Sequence, residues 1–386
     1  MATWAAFLSG QATEAEESFV PELKSASYHT NNFVRATRRW LVPYVQSRVL
    51  KNQFRPLLSY LFTEYKCNID CHYCWAYNNK VKGMTEETAI RSIDFLKAHG
   101  CRVVALMGGE PLLRRDFILK VIDYGTKNGF FMYLPTNGIL MNEDFVDRVG
   151  DLGVAAINLA VDALEEKPGL PKNLKRIEKQ FKYLVKQQRQ YGYMIVFNTN
   201  ICRHNMEDVR QLTEIAHDNG ISTDVHINEP PYLEQTHFKH LNDNVTYITR
   251  EDWPKVDELL DWLIEKNAQG YIMVNSKDHM RKMKDFMRGK TYPWNCRAGH
   301  NSSLIRTDGT LAPCFPMYAS THDWGNVYDG HKFDQNQLDE MKKVCNSHCL
   351  STCQYVLGYY YNNRNVLRWI LKQGLHGWTG QPTTDA

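Results

Sequence analysis

Three cysteines, Cys67, Cys71 and Cys74, follow one another with C-x3-C-x2-C spacing. Three thiolates on one short loop can ligate three of the four irons of a [4Fe-4S] cubane, which leaves the fourth iron open for a catalytic ligand. A structural zinc ion is the alternative, but zinc needs four ligands and commonly uses C-x2-C pairs. The one further ligand evident locally, His72, is wedged between the cysteines. We therefore favour a catalytic iron–sulfur cluster at this segment.

A second group of cysteines lies near the carboxyl end of the chain. Its members are Cys296, Cys314, Cys345, Cys349 and Cys353. After Tyr292 the segment becomes dense in Cys, Gly, Pro, Asn and His and loses its hydrophobic periodicity. A stretch that buries little apolar surface commonly depends on a bound metal for its fold. We predict metal or cluster ligation here, with structural zinc as one alternative. The two isolated cysteines, Cys101 and Cys202, are predicted to be small buried hydrophobic residues.

The composition is that of an ordinary globular protein, with 43% hydrophobic residues, 23% charged residues and a net charge of +3 over 386 residues. This length has room for one large domain and a smaller one. The small net charge calls for no nucleic-acid partner, and no apolar run reaches about 18 residues, so no integral membrane segment is expected. Residues 1–10 lack the basic start of a secretory signal. We predict a cytoplasmic protein, in which disulfides are rare.

From residue 57 onward, a short apolar run followed by a helical segment recurs six times. The predicted strands are Leu57–Glu64, Arg102–Met107, Phe130–Leu134, Val154–Val161, Tyr193–Thr199 and Thr223–Ile227. Short apolar runs of this kind are typical of strands buried on both faces. Helices are predicted over Thr85–His99, Asn173–Arg189, Met206–Asn219, Asp252–Lys266 and Val366–Lys372. Alternating strands and helices indicate an α/β fold with a parallel sheet, which either closes partly into a barrel or stays open and doubly wound.

Two further motifs fall at the carboxyl ends of predicted strands, where active sites of parallel sheets lie. The second strand ends in the motif Gly108, Gly109, Glu110 and Pro111, and the third ends in Thr136, Asn137 and Gly138. Together with the cysteine spacing and Tyr73 before the third cysteine, these motifs resemble the radical S-adenosylmethionine (SAM) superfamily over residues 57 to about 230. The resemblance implies a partial (β/α)6 TIM-type barrel. It also implies a [4Fe-4S] cluster on Cys67, Cys71 and Cys74 that binds SAM.

The same resemblance implies roles for individual residues in binding SAM. Tyr73 would pack against the adenine, and the Gly108–Pro111 backbone with the Glu110 carboxylate would bind the methionine amino group. Glycines suit a backbone that a ligand approaches closely. Further polar residues at strand ends would face SAM, namely Thr136, Asn137, Asn158, Asp162 and Asn200. For the last three, capping of the loops at the strand ends is the alternative.

The second cysteine group resembles the SPASM and Twitch domains of radical SAM enzymes, which hold auxiliary iron–sulfur clusters. Cys296 is followed by Gly309 and Cys314 in the G-x4-C arrangement that opens such domains. Five cysteines fit one auxiliary [4Fe-4S] cluster better than the two clusters of a full SPASM domain. We predict Cys296, Cys314, Cys349 and Cys353 as its ligands. Cys345 would remain as a catalytic hydrogen-atom donor near a substrate radical, or as a buried inert thiol.

The resemblance implies an enzyme in which the reduced cluster cleaves SAM and a 5′-deoxyadenosyl radical abstracts hydrogen from the substrate. The auxiliary cluster would assist oxidation or substrate binding, and a flavodoxin- or ferredoxin-type protein would donate electrons. We predict a small-molecule substrate such as a sugar or nucleoside, with a peptide or a lipid as alternatives. A non-catalytic iron–sulfur or zinc-stabilised binding module is the alternative of a different class. The loop between Asn228 and Asp252 and the stretch Tyr355–Tyr361 are predicted to shape the substrate pocket.

The predicted organisation has five parts. They are a helical N-terminal extension (1–55), the partial barrel (56–240), a helical linker (241–289), a SPASM/Twitch-like domain (290–361), and a C-terminal helix and tail (362–386).

Overall fold

The structure is a computed structural model, and it describes residues 40–50, 53–74, 80–228, 239–345 and 349–367. Most of the predicted N-terminal extension, the first part of the predicted substrate loop (229–238) and the chain beyond residue 367 lie outside the described residues. One helix, α1 (Val42–Val49), belongs to the extension, and residues 363–367 are helical at the start of the predicted closing helix. Within the described ranges, every helix is too short or too polar to span a bilayer.

All six predicted strands are present, and each begins and ends within about two residues of its predicted bounds. They are β1 (Leu58–Glu64), β2 (Val103–Gly108), β3 (Phe131–Thr136), β4 (Ala156–Ala160), β5 (Met194–Ile201) and β6 (Ser222–Ile227). Neighbours along the chain pair in parallel, in the order β6-β5-β4-β3-β2-β1. The prediction of a parallel sheet is therefore confirmed.

Helices connect the strands as crossovers. They are α2 (Glu86–Ala98), α3 (Arg115–Lys127), α4 (Glu143–Asp151), α5 (Glu178–Tyr191) and α6 (Met206–Asp218). The first shows why these helices begin where they do, because the Thr85 hydroxyl accepts a hydrogen bond from the Thr88 N–H at 3.1 Å. Glu86 and Glu87 follow in its first turn, where negative charge interacts favourably with the helix dipole.

The two faces of the sheet have different roles, because successive side chains of a strand point to opposite faces. One face packs against the helices in the main core, through residues that include Leu61, Leu106, Leu134, Ile157 and Phe197. The alternate residues of the same strands line a cavity of about 380 Å³, and they include Tyr60, Ala105, Tyr133, Asn158 and Asn198. Since every strand from β1 to β6 contributes to this one cavity, the sheet must curve around it. The fold is the predicted partial barrel.

Two strands after residue 290 extend the barrel sheet. Strand β7 (Ser302–Ile305) pairs in parallel with β1, and β8 (Leu311–Ala312) pairs antiparallel with β7. The buried hydroxyls of Ser59 and Ser303 lie 2.9 Å apart across the β1–β7 junction. Of the second cysteine group, two members flank these strands in the chain, Cys296 and Cys314, and the other three lie on or beside the helices that follow.

The remaining elements pack around this frame. They are α7 (Trp253–Ala268), α8 (Lys277–Met287), the hairpin β9 (Gly325–Asn326) and β10 (Gly330–His331), α9 (Gln335–Cys345) and α10 (Thr352–Tyr360). The predicted linker consists largely of α7 and α8, which form a second core against β5 and β6 through residues such as Leu260, Met280 and Val225.

The main core predicts a clear difference in stability between two apolar truncations in different strands of the sheet. Leu106 is fully buried, whereas Met194 at the start of β5 is 37% exposed. We expect Leu106→Ala to lower the free energy of unfolding by about 2–5 kcal/mol because it leaves a cavity. The matched control Met194→Ala should change it by about 0.5 kcal/mol or less. Urea unfolding measures both, and equal losses would contradict the assignment of the two faces.

Candidate functional site

The first cysteine group lies on the loop that follows β1, at the carboxyl end of the sheet. Cys67, Cys71 and Cys74 all line the cavity. Cys71 is buried, and its carbonyl accepts a hydrogen bond from the Cys74 N–H at 3.0 Å. Burial raises the pKa of Cys67 to about 11. This thiol is therefore protonated in the protein alone, and binding a metal must displace its proton.

The base of this loop is fixed by hydrogen bonds to the end of β2. The Glu64 carboxylate accepts from the N–H groups of Tyr65 at 2.9 Å and Lys66 at 3.1 Å. The N–H of Gly109 donates to the Glu64 carbonyl at 2.7 Å, and that of Glu110 donates to the Lys66 carbonyl at 2.8 Å. The motif at the end of β2 therefore holds the start of the cysteine loop through its own backbone.

The glycines of this motif are required by the approach of the two backbone segments. A Cβ atom on Gly108 would lie 2.5 Å from the Glu64 carbonyl oxygen, and one on Gly109 would lie 2.2 Å from the Lys66 carbonyl oxygen. Real Cβ atoms essentially never come within 3.0 Å of another heavy atom. Our sequence reasoning explained the glycines by ligand approach alone and missed this second cause.

The Glu110 side chain is almost entirely buried and joins the ends of β2 and β3. Its Oε1 accepts hydrogen bonds from the Leu112 N–H at 2.9 Å and the Thr136 hydroxyl at 2.8 Å, and its Oε2 accepts from the Asn137 N–H at 2.8 Å. Burial raises the pKa of Glu110. A carboxylate can accept about four hydrogen bonds. Three are supplied by the protein, so the ligand amino group expected here has one remaining position.

Further contacts clamp the loop from both sides. On the barrel side, the Asn137 amide donates to the Asn68 side-chain oxygen at 2.8 Å. On the outer side, the His72 ring stacks on His240 with 3.9 Å between centroids, and a His240 ring nitrogen lies 3.0 Å from the Asp70 carboxylate. These contacts, together with the hydrogen bonds at the base of the loop, fix the backbone that carries the three cysteines.

Three residues predicted to contact SAM form a buried cluster beside the cavity wall. The Tyr73 hydroxyl donates to the Asp162 carboxylate at 2.5 Å, and that carboxylate also accepts from the Asn200 N–H at 2.8 Å. The Lys172 ammonium donates to the Tyr73 hydroxyl at 2.9 Å. Of these four residues, only Lys172 lines the cavity in the described part of the chain.

Lys172 is a candidate site residue that sequence reasoning missed. Burial by itself lowers the pKa of Lys172, but the neighbouring groups, chiefly Cys71 and Asp162, outweigh burial and raise it. The side chain therefore carries a positive charge beside the three thiols. It belongs to no motif, and the only signal is its place in a short Gly- and Pro-containing loop after a barrel strand.

The remaining residues predicted to bind SAM lie in the cavity wall. They are Gly108, Gly109, Glu110, Pro111, Thr136, Asn137 and Asn158. Asn158 donates from its amide to the Tyr133 hydroxyl. One cavity is thus lined by the three thiols of the cysteine loop, the backbone of Gly108 and Gly109, and the Lys172 ammonium. This donor set fits a cubane with three thiolate ligands and an adjoining ligand that carries amino and carboxylate groups.

Four thiols of the second cysteine group affect one another electrostatically. Burial raises the pKa of Cys314, and its electrostatic neighbours Cys296, Cys349 and Cys345 raise it further. Lys342 lies beside Cys296 and Cys345, and burial lowers its pKa to about 8. In the described ranges, no three cysteine, histidine or carboxylate side chains converge closely enough to ligate a single metal ion.

Cys353, one of the four auxiliary-cluster ligands expected from the sequence, lines the cavity from the first turn of α10 and packs against the apolar cluster that contains Tyr60. Cys349 precedes α10, whereas Cys353 lies within it and faces the barrel.

The stretch Tyr355–Tyr361 was predicted to shape the substrate pocket. Helix α10, which contains most of it, contributes Thr352, Cys353 and Val356 to the cavity, whereas Tyr355 stacks on His279 at 4.3 Å between centroids. Residues 229–238, the first part of the predicted substrate loop, lie outside the described residues. The isolated cysteines, Cys101 and Cys202, are both fully buried, as predicted.

Comparisons with known proteins agree with this geometry. Residues 63–263, more than half of the chain, match the family model of the Radical SAM superfamily. The AdoMet-dependent heme synthase of Methanosarcina barkeri is 27% identical over 162 residues, which are 40% of this chain and 45% of that protein. The chain therefore spans less than half of this relative's length.

Two solved structures share the fold. One is Streptococcus suis SuiB bound to the precursor peptide SuiA, with a TM-score of 0.58, 15% identity, and coverage of 87% of this chain and 76% of SuiB. The other is anSMEcpe with bound AdoMet and the Kp18Cys peptide, with a TM-score of 0.55, 16% identity, and coverage of 83% and 100%.

The family match covers the cysteine loop, the glycine motif and all but the first five residues of the six-stranded barrel. The chain belongs to the radical SAM superfamily, whose members use a [4Fe-4S] cluster and SAM.

Proposed function

We propose that this radical SAM enzyme holds its catalytic cluster on Cys67, Cys71 and Cys74 and binds SAM in the adjoining cavity. The observation that carries the proposal is that these thiols, the Gly108–Gly109 edge and Lys172 all line the same cavity. When bound, the cluster and SAM supply a radical that abstracts hydrogen from an unactivated C–H bond.

The protein's own groups orient and balance the charge of these cofactors. The Lys172 ammonium lies where it offsets the negative charge of three thiolates and can pair with the SAM carboxylate. Glu110 has one acceptor position left for the SAM amino group. Three residues that do not line the cavity hold Lys172 in place through a chain of hydrogen bonds. They are Tyr73, Asp162 and Asn200.

The polar cavity wall completes the proposed SAM site. Asn158, Thr136 and Asn137 lie in this wall next to the glycine edge, and we assign Asn158 to the ribose. Thr136 and Asn137 act mainly through Glu110 and Asn68, which they tie to the end of β3.

An auxiliary [4Fe-4S] cluster is proposed on Cys296, Cys314, Cys345 and Cys349. The mutual electrostatic effects of these four thiols support this ligand set over one that includes Cys353. The cluster would assist substrate oxidation or binding. A flavodoxin- or ferredoxin-type protein would supply the electrons.

A peptide is the substrate class that we propose first, in place of the small molecule expected from the sequence. The two solved structures described above, of SuiB and of anSMEcpe, each contain a bound peptide. A small molecule is the second candidate, and the similarity to the AdoMet-dependent heme synthase favours it.

The cluster assignment predicts the effect of removing one thiolate. Replacing Cys67, Cys71 or Cys74 with Ala should reduce iron in anaerobically reconstituted protein from about eight to about four atoms per chain. The same variants should form no 5′-deoxyadenosine from SAM. The matched control Cys101→Ala removes a buried thiol outside both groups and should retain both properties. Zinc at this site, or SAM cleavage by a variant, would refute the assignment and favour a binding module.

The glycine constraint predicts that the loop base is required for cluster assembly. Gly109→Ala should lower iron content by about half, since its Cβ cannot fit against the Lys66 carbonyl. The control Gly129→Ala also acts on a glycine, with φ of 83°, but its Cβ meets nothing within 4 Å. It should lose about 1 kcal/mol of stability and keep its iron. Iron assays compare the two, and full iron in Gly109→Ala would contradict the proposed docking.

Lys172 predicts a separate effect on SAM binding. Lys172→Gln removes a charge-assisted hydrogen bond, so the SAM dissociation constant should rise roughly 10- to 100-fold. Lys172→Arg keeps the positive charge, so its SAM dissociation constant should lie between those of Lys172→Gln and the natural enzyme. Equilibrium dialysis with cluster-loaded protein measures the binding. An unchanged dissociation constant in iron-replete Lys172→Gln would exclude a role in holding SAM.

A further inference from the structure

Two polar side chains of the cavity take no part in the proposed SAM site. Asp224 is the third residue of β6, and Cys353 lies in the first turn of α10. Both line the cavity. Across the sheet, Asp224 pairs with Asn198 of β5, and both residues line the cavity.

Asp224 has an unused hydrogen-bond acceptor. The residue is 8% exposed, and its Oδ1 has no hydrogen-bond partner among the described residues. Its Oδ2 lies 3.3 Å from a His226 ring nitrogen, which is also 3.0 Å from the Asn198 amide. A buried carboxylate oxygen without a partner costs free energy. A ligand that supplies a donor at this position explains why the group is kept in the cavity.

The same part of the cavity contains the Cys353 thiol. Cys353 packs against the apolar cluster that contains Tyr60, and burial together with Cys353, Tyr133 and Asp224 raises the pKa of the Tyr60 hydroxyl above its usual value. Tyr133 in turn has both Asp224 and Cys353 as neighbours. The two tyrosines therefore lie close to both groups. Asp224 and Cys353 border one space that also has neutral hydroxyl groups in its wall.

We propose that Asp224 and Cys353 form the substrate subsite of the cavity. The substrate places a hydrogen-bond donor, an ammonium or a hydroxyl group, on the open oxygen of Asp224, and its adjoining carbons lie against Cys353. This inference rests on the proposed function, because it assigns to the substrate the space that SAM leaves. It also requires that Cys353 is not an auxiliary-cluster ligand.

Affinity alkylation of the reconstituted holoenzyme in the presence of SAM tests the subsite. The probes are 2-bromoethylammonium and 2-bromoethanol, compared with the isosteric 1-bromopropane. In each reaction the Cys353 sulfur loses its proton and displaces bromide, which forms one C–S bond and breaks one C–Br bond. Peptide mass spectrometry measures the rate at Cys353. We expect at least one donor probe to react roughly tenfold faster than 1-bromopropane, because the Asp224 carboxylate binds its donor group.

Variants of Asp224 distinguish the two donor classes. Asp224→Leu should abolish the preference for either donor probe. Asp224→Asn should abolish a preference for the ammonium probe but retain one for the hydroxyl probe, because an amide oxygen still accepts a hydrogen bond. A natural enzyme without any preference, or an equal preference in Asp224→Leu, would overturn the proposal.

Iron content provides an independent readout for Cys353. Cys353→Ser should retain about eight irons per chain, whereas Cys345→Ser should retain about four. The opposite pattern would overturn the subsite, since it would make Cys353 a ligand. Alkylation requires no turnover, so it reports on the subsite even where the SAM assignment fails. Failure of that assignment would instead appear as iron content that is unchanged when Cys67, Cys71 or Cys74 is replaced with Ala, and as absent 5′-deoxyadenosine.

Discussion

The close approach of two backbone segments is the constraint on which the rest of the site depends. The end of β2 lies against residues 64–66 with no space for a Cβ atom at Gly108 or Gly109. This contact fixes the start of the cysteine loop at the carboxyl end of β1, beside the end of β2. Glu110 extends the same connection to β3 through its buried carboxylate. A motif that contains few side-chain atoms thus positions three cysteines through hydrogen bonds of the main chain.

The division of each barrel strand into two faces explains how a polar cavity coexists with a stable core. Positions such as Leu61 and Leu106 are fully buried against helices and supply the apolar area that stabilises the fold. Their neighbours in sequence line the cavity, where buried polar groups must find partners. Most do so with each other, as Asn158 does with Tyr133. The polar atom left without a partner in this wall, on Asp224, is therefore informative.

The sequence was sufficient for the strands and for the residues that belong to motifs. Continuous apolar runs mark doubly buried strands, and the spacing of Cys67, Cys71 and Cys74 is a local signal. Lys172 and Asp224 could not be found in this way, because their importance comes from burial beside groups that are distant along the chain. The position of Cys353 in the cavity wall was also inaccessible to sequence reasoning. Spacing does not reveal where a helix begins or which side of it faces the barrel.

The pairing of β7 with β1 has a consequence for electron movement. The first cysteine group follows β1, and two members of the second, Cys296 and Cys314, flank β7 and β8, so hydrogen bonds of one continuous sheet connect them. Domains on linkers are expected to shift relative to one another, whereas neighbouring strands keep a constant spacing. Tunnelling between redox centres depends steeply on their separation. The shared sheet therefore sets the separation of clusters bound at the first group and at Cys296 and Cys314.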